Sequence, residues 1–324
     1  MHPILFLAAV ASSATAPAPQ EAAARPLQVF KMQLGGFTVT AFGDGVFELP
    51  TDQLLVDPRP GEVAGLLSRQ HQPVVQPTSV NAYLVDTGHR RILIDSGGGS
   101  YFGPALGQFP QALKAAGYKP EDIDEVLITH VHADHIGGLA AQGVRTFPNA
   151  VVRLAAVEQA FWLDRANAQK VDASVRATFD AVEGSLRPYL AAGKVQGFAP
   201  GATLAPGITA VALPGHTIGH TGYRITSRGK TLLVWGDVMH VATVQRIDPA
   251  ITIKFDSDQM QARTTRVAIL GEAARDHALV AGAHLAFPGI GRFGKVGGSW
   301  TWTPIASSAS KAVAPALAAG AVAK

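Results

Sequence analysis

The run Thr129-His130-Val131-His132-Ala133-Asp134-His135 puts three imidazoles and a carboxylate into six positions, directly after the apolar stretch Val126-Leu127-Ile128. A strand this apolar is a core strand, so the titratable cluster falls at its end, where side chains so dense are best accommodated around a shared cation. In an extended segment residues i and i+2 point to the same side, so His130 and His132 can grip one ion together. Gly137-Gly138 give the backbone freedom to turn. Ile136-Leu139-Ala140-Ala141 reads as the start of a helix, which lets Asp134 and His135 face a second ion beside the first. These groups alone leave both ions undercoordinated, so further ligands must come from elsewhere in the chain.

Three segments offer them. His216 stands in the Gly-rich turn Leu213-Pro214-Gly215-His216-Thr217-Ile218-Gly219-His220. Asp237 ends the run Leu232-Leu233-Val234-Trp235-Gly236-Asp237, and His284 ends Leu279-Val280-Ala281-Gly282-Ala283-His284. Two of these are apolar strands finishing in a ligand type. That pattern is expected when a sheet delivers several loops to one site.

In this order, His-x-His-x-Asp-His, a distant Gly-His-Thr, a Gly-Asp and a late His resemble the metallo-β-lactamase superfamily over roughly residues 30 to 300. The resemblance implies an α/β fold, a four-layer αβ/βα sandwich with a binuclear site along one edge. It assigns His130, His132 and His216 to one divalent ion, Asp134, His135 and His284 to another, and Asp237 to both, with zinc as the expected metal. Asp95, in Ile92-Leu93-Ile94-Asp95-Ser96-Gly97, matches the family's early strand-end Asp, which supports the ligands from behind. The chain has no cysteine, which excludes the β-lactamase groups that use a Cys ligand at the Gly-Asp position. Asp237 argues against the group that lacks a bridging Asp, and His132 against the redox di-iron members, which carry Glu there.

Phe102-Gly103-Pro104-Ala105-Leu106-Gly107, Phe147-Pro148-Asn149-Ala150-Val151-Val152-Arg153, Phe161-Trp162-Leu163, Ser257-Asp258 and Phe287-Pro288-Gly289-Ile290-Gly291 resemble the methyl parathion hydrolase group more closely. That resemblance implies an aromatic mouth of Phe102, Trp162 and Phe179 over the metals, suited to a flat aryl group. It also marks departures. His240, Ile253 and Phe255 are expected to line the substrate pocket with those rings; His240 stands where the phosphotriester-specialised member is apolar, and Ile253 and Phe255 look bulkier or more apolar than their counterparts. The expected activity is therefore lactone opening or aryl-ester cleavage by a hydroxide formed between two zinc ions. Asp237 would orient that hydroxide and His240 assist, with organophosphate triester hydrolysis as a side reaction. The alternatives are a dedicated methyl parathion-type phosphotriesterase and a glyoxalase II-like thiolesterase, whose thiol would need a basic pocket that no cluster here supplies.

The chain's 324 residues, 47% of them hydrophobic, can bury a large core. A formal charge of +3 without a basic run gives no indication of nucleic acid, so the expected partner is a small ester, lactone or phosphotriester. Residues 1–25 hold a short apolar stretch, Pro3 to Ala16, followed by Ala/Pro-rich sequence. This reads as a signal peptide, too short for a stable membrane span. It points to a periplasmic or secreted protein, with the cytoplasm as the alternative because no Lys or Arg precedes the stretch. Residues 26–306 form the expected catalytic domain, and the Ala-rich residues 307–324 a disordered tail. Hairpin strands are expected in Val29 to Leu49 and Val80 to Ile94. Helices are expected in Phe109 to Tyr118, Val157 to Asn167, Ala173 to Ala192 and Gln259 to Asp276, the last with Arg263, Arg266 and Arg275 on solvent faces. The Pro-rich segment Gln53 to Pro77 reads as a surface loop, with a lid or a homodimer arm as the alternative.

Overall fold

Ile92 and Ile94 point to one side of the strand Arg91–Ile94 and Leu93 to the other, and all three are fully buried. A strand covered on both faces belongs in a layered sandwich, and that is the architecture of the computed structural model, which describes residues 26–57, 59–173 and 175–305. The expected leader, residues 1–25, and tail, residues 307–324, lie outside the described residues.

One seven-stranded sheet runs in the order Gln28–Leu34, Phe37–Pro50, Val75–Asp86, Arg91–Ile94, Glu125–Leu127, Val151–Ala155, Val195–Phe198. Its first three pairings are antiparallel and its last three parallel. The other, also seven-stranded, is ordered Thr203–Ala205, Ile208–Ala212, Thr221–Ser227, Lys230–Val234, Leu279–Ala281, Ile290–Val296, Ser299–Pro304. Only Lys230–Val234 and Leu279–Ala281 pair parallel there. Tyr83, Val85, Ile92, Ile94 and Leu127 from the first sheet meet Ile208, Tyr223, Ile225, Leu232 and Val234 from the second in a common core. On its outer face the first sheet packs Leu84, Leu93 and Val126 against the helices Phe109–Ala115 and Arg176–Ala191. The second packs Leu233 and Val280 against Gln259–Arg275. The result is the expected four-layer αβ/βα sandwich. No described helix is long and apolar enough to cross a membrane.

Two expectations need correction. Arg263 and Arg275 are exposed, but Arg266 is only 1% exposed, because one turn of this helix faces a looped segment whose backbone carbonyls need donors. Nor is 53–77 a plain surface loop. It carries the helices Thr51–Leu54 and Glu62–Arg69, and its strand Leu55–Val56 pairs with Thr252–Ile253. Val63, Leu66 and Leu67 pack there on Val241, Val244, Ile251 and Ile253 as a small separate core.

Ile225 is fully buried between the sheets, so Ile225→Ala should cost about 2–5 kcal/mol in denaturant unfolding. A loss below about 1 kcal/mol would mean that the sheets do not share a close-packed interior.

Candidate metal centre

Parallel neighbours end at the same edge of a sheet, and ligand-bearing loops gather at their carboxyl ends. Arg91–Ile94 and Glu125–Leu127 are such neighbours and run into Asp95 and into Thr129 to His135. Lys230–Val234 and Leu279–Ala281 are another pair, running into Asp237 and His284. Ile208–Ala212, two antiparallel steps from Lys230–Val234, ends at the same edge and leads to His216. The sheets are tied together here: Thr221 N donates to Thr129 O at 2.9 Å and Tyr223 Oη to Ile128 O at 2.6 Å. Gly236 sits at φ +57°, and a Cβ on it would lie 2.6 Å from His220 Nε2. Only glycine lets the chain turn Asp237 inward at this point.

Two groups of candidate ligands result. His130, His132, His216 and Asp237 each offer one atom within 4.8 Å of the others, and so do Asp134, His135, Asp237 and His284. His132 Nδ1 lies 3.0 Å from His130 Nε2 and 2.9 Å from His216 Nε2. Asp237 Oδ2 lies 3.7 Å from His130 Nε2, 3.4 Å from His216 Nε2 and 2.9 Å from His284 Nε2, while Oδ1 lies 3.2 Å from His135 Nε2. Asp134 Oδ2 is 3.4 Å from both His135 Nε2 and His284 Nε2. Donors arranged tetrahedrally at zinc-like bond lengths sit about 3.3 Å apart, so both groups have the size of a metal site and Asp237 belongs to each.

The residues fit divalent cations chemically as well. Imidazole and carboxylate are borderline-to-hard donors of the kind zinc and its neighbours take. His135 Nε2 and Asp237 Oδ1 lie buried 3.2 Å apart without the geometry of a hydrogen bond, an arrangement that a cation between them would satisfy. Burial opposes ionisation of Asp237, yet His135, His284 and His130 around it hold its carboxyl well below the usual carboxylate range. Burial and then the neighbouring His216 push His132 down to about 3. For His216 burial works downward, but Asp237 and Asp256 outweigh it and carry the ring up to about 9. Buried anions, lone-pair nitrogens and three rings, His135, His216 and His284, that favour positive charge describe a site built around cations.

Behind the ligands a set of fixed partners aims them. Asp95, held at φ +59°, accepts from Thr129 N and Thr129 Oγ1 at 2.8 Å each and from His135 Nδ1 at 2.9 Å. Thr129 Oγ1 lies 3.1 Å from His130 Nδ1, so this one carboxylate steadies a candidate ligand in each group. Three partners escaped the sequence reading. Asp256 accepts from His216 Nδ1 at 2.8 Å. Glu158, fully buried, accepts from Val131 N at 3.3 Å and Gly219 N at 2.7 Å and so clamps the two histidine-bearing turns. His220 donates to Leu213 O at 2.9 Å and accepts from Asp237 N at 3.0 Å. His220 could have been noticed as the second histidine of its turn; nothing in the local sequence marks Asp256 or Glu158, because their partners are remote in the chain.

His240 joins the site. Its Nε2 lies 3.1 Å from Asp237 Oδ2, and its ring is 4.9 Å from His216 and 5.0 Å from His284. Burial pushes it down to about 4 against the pull of Asp237, so it is neutral at pH 7, and its buried Nδ1 has no partner among the described residues. The aromatic residues divide. Phe102, 38% exposed, stacks on Phe47, which meets His284 edge-on at 5.8 Å, and Phe255, 44% exposed, lies 6.4 Å from His240. The loop of Phe102 is pinned by Asp44, which accepts from Gly98, Gly107 and Phe109 N. Trp162 and Phe179 do not complete a mouth: they are 2% and 1% exposed and pack on each other, 4.8 Å apart, in the helix–sheet core. Ile253 is likewise no pocket wall, since its strand turns it into the small core around Leu55 and Val244.

Residues 75–284 match the family model of the Metallo-beta-lactamase superfamily. Among solved structures, the hydrolase AbOPH in the beta lactamase superfamily aligns with a TM-score of 0.82 at 34% identity, covering 87% of this chain and 98% of that one. AidC, a dizinc quorum-quenching lactonase in complex with its product, aligns with a TM-score of 0.79 at 23% identity, covering 86% and 97%; this is a likeness of fold. A curated relative, the atrochrysone carboxyl ACP thioesterase of Passalora fulva, is 41% identical over 69 residues. The chain spans about a fifth of that protein's length, 19%.

Because Asp237 alone belongs to both groups, Asp237→Ala should empty both of metal, whereas His284→Ala should spare the group of His130, His132 and His216. Elemental analysis after dialysis against metal-free buffer reads the difference. Equal losses in the two variants would show that the groups do not bind separately.

Proposed function

Since this chain belongs to the metallo-beta-lactamase superfamily and is a metal-dependent hydrolase, we propose that it is a binuclear zinc enzyme that opens lactones and cleaves aryl esters. The observation that carries this reading is the placement of His240. A titratable ring stands 3.1 Å from the shared Asp237 and between His216 and His284, next to an exposed aromatic rim.

When bound, two divalent cations supply Lewis acidity toward a carbonyl oxygen and bring the pKa of water toward 7. The chain's own groups do the rest. Asp237 Oδ2 faces both His284 Nε2 and His240 Nε2, so it can orient a donor between them. The facing carboxylate favours the Nε2–H form of His240 and leaves a lone pair on Nδ1. This pair is suited to holding and moving a proton. Opening a lactone leaves an alkoxide, too basic to depart without a proton, whereas an aryl phosphotriester releases a stable phenolate. A proton-carrying ring therefore serves the carbonyl substrate more than the triester. Phe255 beside His240, and Phe102, linked to His284 through Phe47, offer apolar surface for an aryl group or acyl chain. The description of AidC as a dizinc lactonase agrees with this reading.

The test is zinc-loaded protein assayed side by side on dihydrocoumarin, a dimethyl aryl phosphotriester and a glutathione thiolester. The lactone should lead in kcat/KM, and His240→Ala should lower lactone kcat by about 10²–10⁴ while sparing the triester. A leading triester would replace this reading with that of a dedicated phosphotriesterase, and a leading thiolester with a glyoxalase II-like one.

A further inference from the structure

Between Val238 and Asp256 the chain leaves the second sheet and returns, carrying His240 and Phe255 on the way. Its ladder pairing is confined to Thr252–Ile253 against Leu55–Val56. The short helix Ala242–Gln245 and the turns after it bond the segment within itself, so its attachment to the helix and loops beside it rests largely on side chains. One side chain from outside the segment reaches three of its carbonyls. Arg266, buried on the helix Gln259–Arg275, donates from Nε to Val238 O at 2.6 Å and from Nη1 to Pro249 O at 3.0 Å and Ile251 O at 2.8 Å. Its Nη2 lies 3.7 Å from Asp256 Oδ2.

Two routes run from this guanidinium to the site. Asp256 takes Ile253 N on Oδ2 at 3.1 Å and His216 Nδ1 on Oδ1 at 2.8 Å. Ile251 O also accepts from Gln245 Nε2 at 3.1 Å, and Gln245 Oε1 accepts from His240 N at 2.8 Å and Val241 N at 3.0 Å. Ser257 N and Asp258 N complete the closure by donating to His216 O and Gly215 O. A buried charge of this kind adds little to stability over an apolar side chain of similar volume. No apolar side chain, and no lysine, can hold three carbonyls and a carboxylate in one plane.

We propose that Arg266 is a positioning residue of the catalytic site: it sets the ring plane of His216 through Asp256 and the place of His240 and Phe255 through the 238–256 backbone. The proposal rests on the reading of His216 as a metal ligand given above. Arg266 is not among the candidate metal ligands, so its effect is read through the groups it holds.

The experiment compares the full-length protein with Arg266→Lys, Arg266→Met, Asp256→Asn and the stability control Ile225→Ala, which lies in the core between the sheets. Zinc affinities are measured by competition with a chromophoric chelator, the cobalt(II) forms by visible absorption, and each variant by thermal unfolding. Both Arg266 variants should lose about 10–100-fold in affinity for one of two metals and shift the cobalt spectrum. Asp256→Asn should show the same loss. Ile225→Ala, though less stable, should keep both affinities within about twofold. If affinity instead follows melting temperature in every variant, or if the Arg266 variants bind both metals as the parent does, Arg266 is only a packing residue. Should the Arg266 variants not fold, an unchanged affinity in Asp256→Asn overturns the proposal. A parent protein that binds fewer than two ions would fail the binuclear reading itself, whereas normal loading with indifferent Arg266 variants would fail this inference alone.

Discussion

A buried carboxylate, Asp237, stands where the open edges of two sheets meet, and the surrounding structure is arranged to make that placement affordable. Desolvating an anion is costly unless positive charge and donors compensate. Here the compensation comes from five histidine rings within ion-pair distance, namely His130, His135, His216, His240 and His284. Those rings arrive on loops from both sheets, so the groups that tolerate the carboxylate also join the halves of the sandwich. Gly236 and His220 lock its backbone.

Around that centre the ligands are aimed by partners anchored elsewhere in the fold. Asp95 sits at the end of a central strand, Glu158 in the first turn of the helix Ala156–Leu163, and Asp256 at the close of the 238–256 segment. Each ties a histidine-bearing turn to a different layer. A ring whose far nitrogen is fixed in this way has one tautomer and one orientation, and the site is pre-organised to that extent. The wall that bears His240 and Phe255 is built differently. It depends on a few side-chain bonds and on the small core made with residues 49–67, so it is the part of the site most open to change in shape.

Much of the site was legible because its ligands follow local patterns. Alternation put His130 and His132 on one side, and apolar strands running into Gly-Asp or Ala-His announced Asp237 and His284. The four-layer sandwich was legible only through resemblance, since the apolar runs of residues 92–94 and 126–128 say that a strand is buried without saying what covers it. Arg266 was misread because the helix pattern there has no clear apolar face, and charge suggested solvent. Trp162 and Phe179 were placed at a mouth when their helices turn them into the core; Ile253 was read as a wall when its strand faces Leu55.

By itself the sequence determined which residues can bind metal, in what order they occur, and that the strands carrying them are buried, because these follow from residue type and short-range periodicity. Only the tertiary structure decided that Asp237 serves two ligand groups at once, that Asp256, Glu158 and His220 aim the ligands, and that a buried arginine holds the wall of the site. Those relations reach beyond a turn of helix or a tight hairpin, across 15 positions for Arg266 with Ile251 and 61 for Glu158 with Gly219. No local pattern encodes a distance that exists only after two sheets have packed.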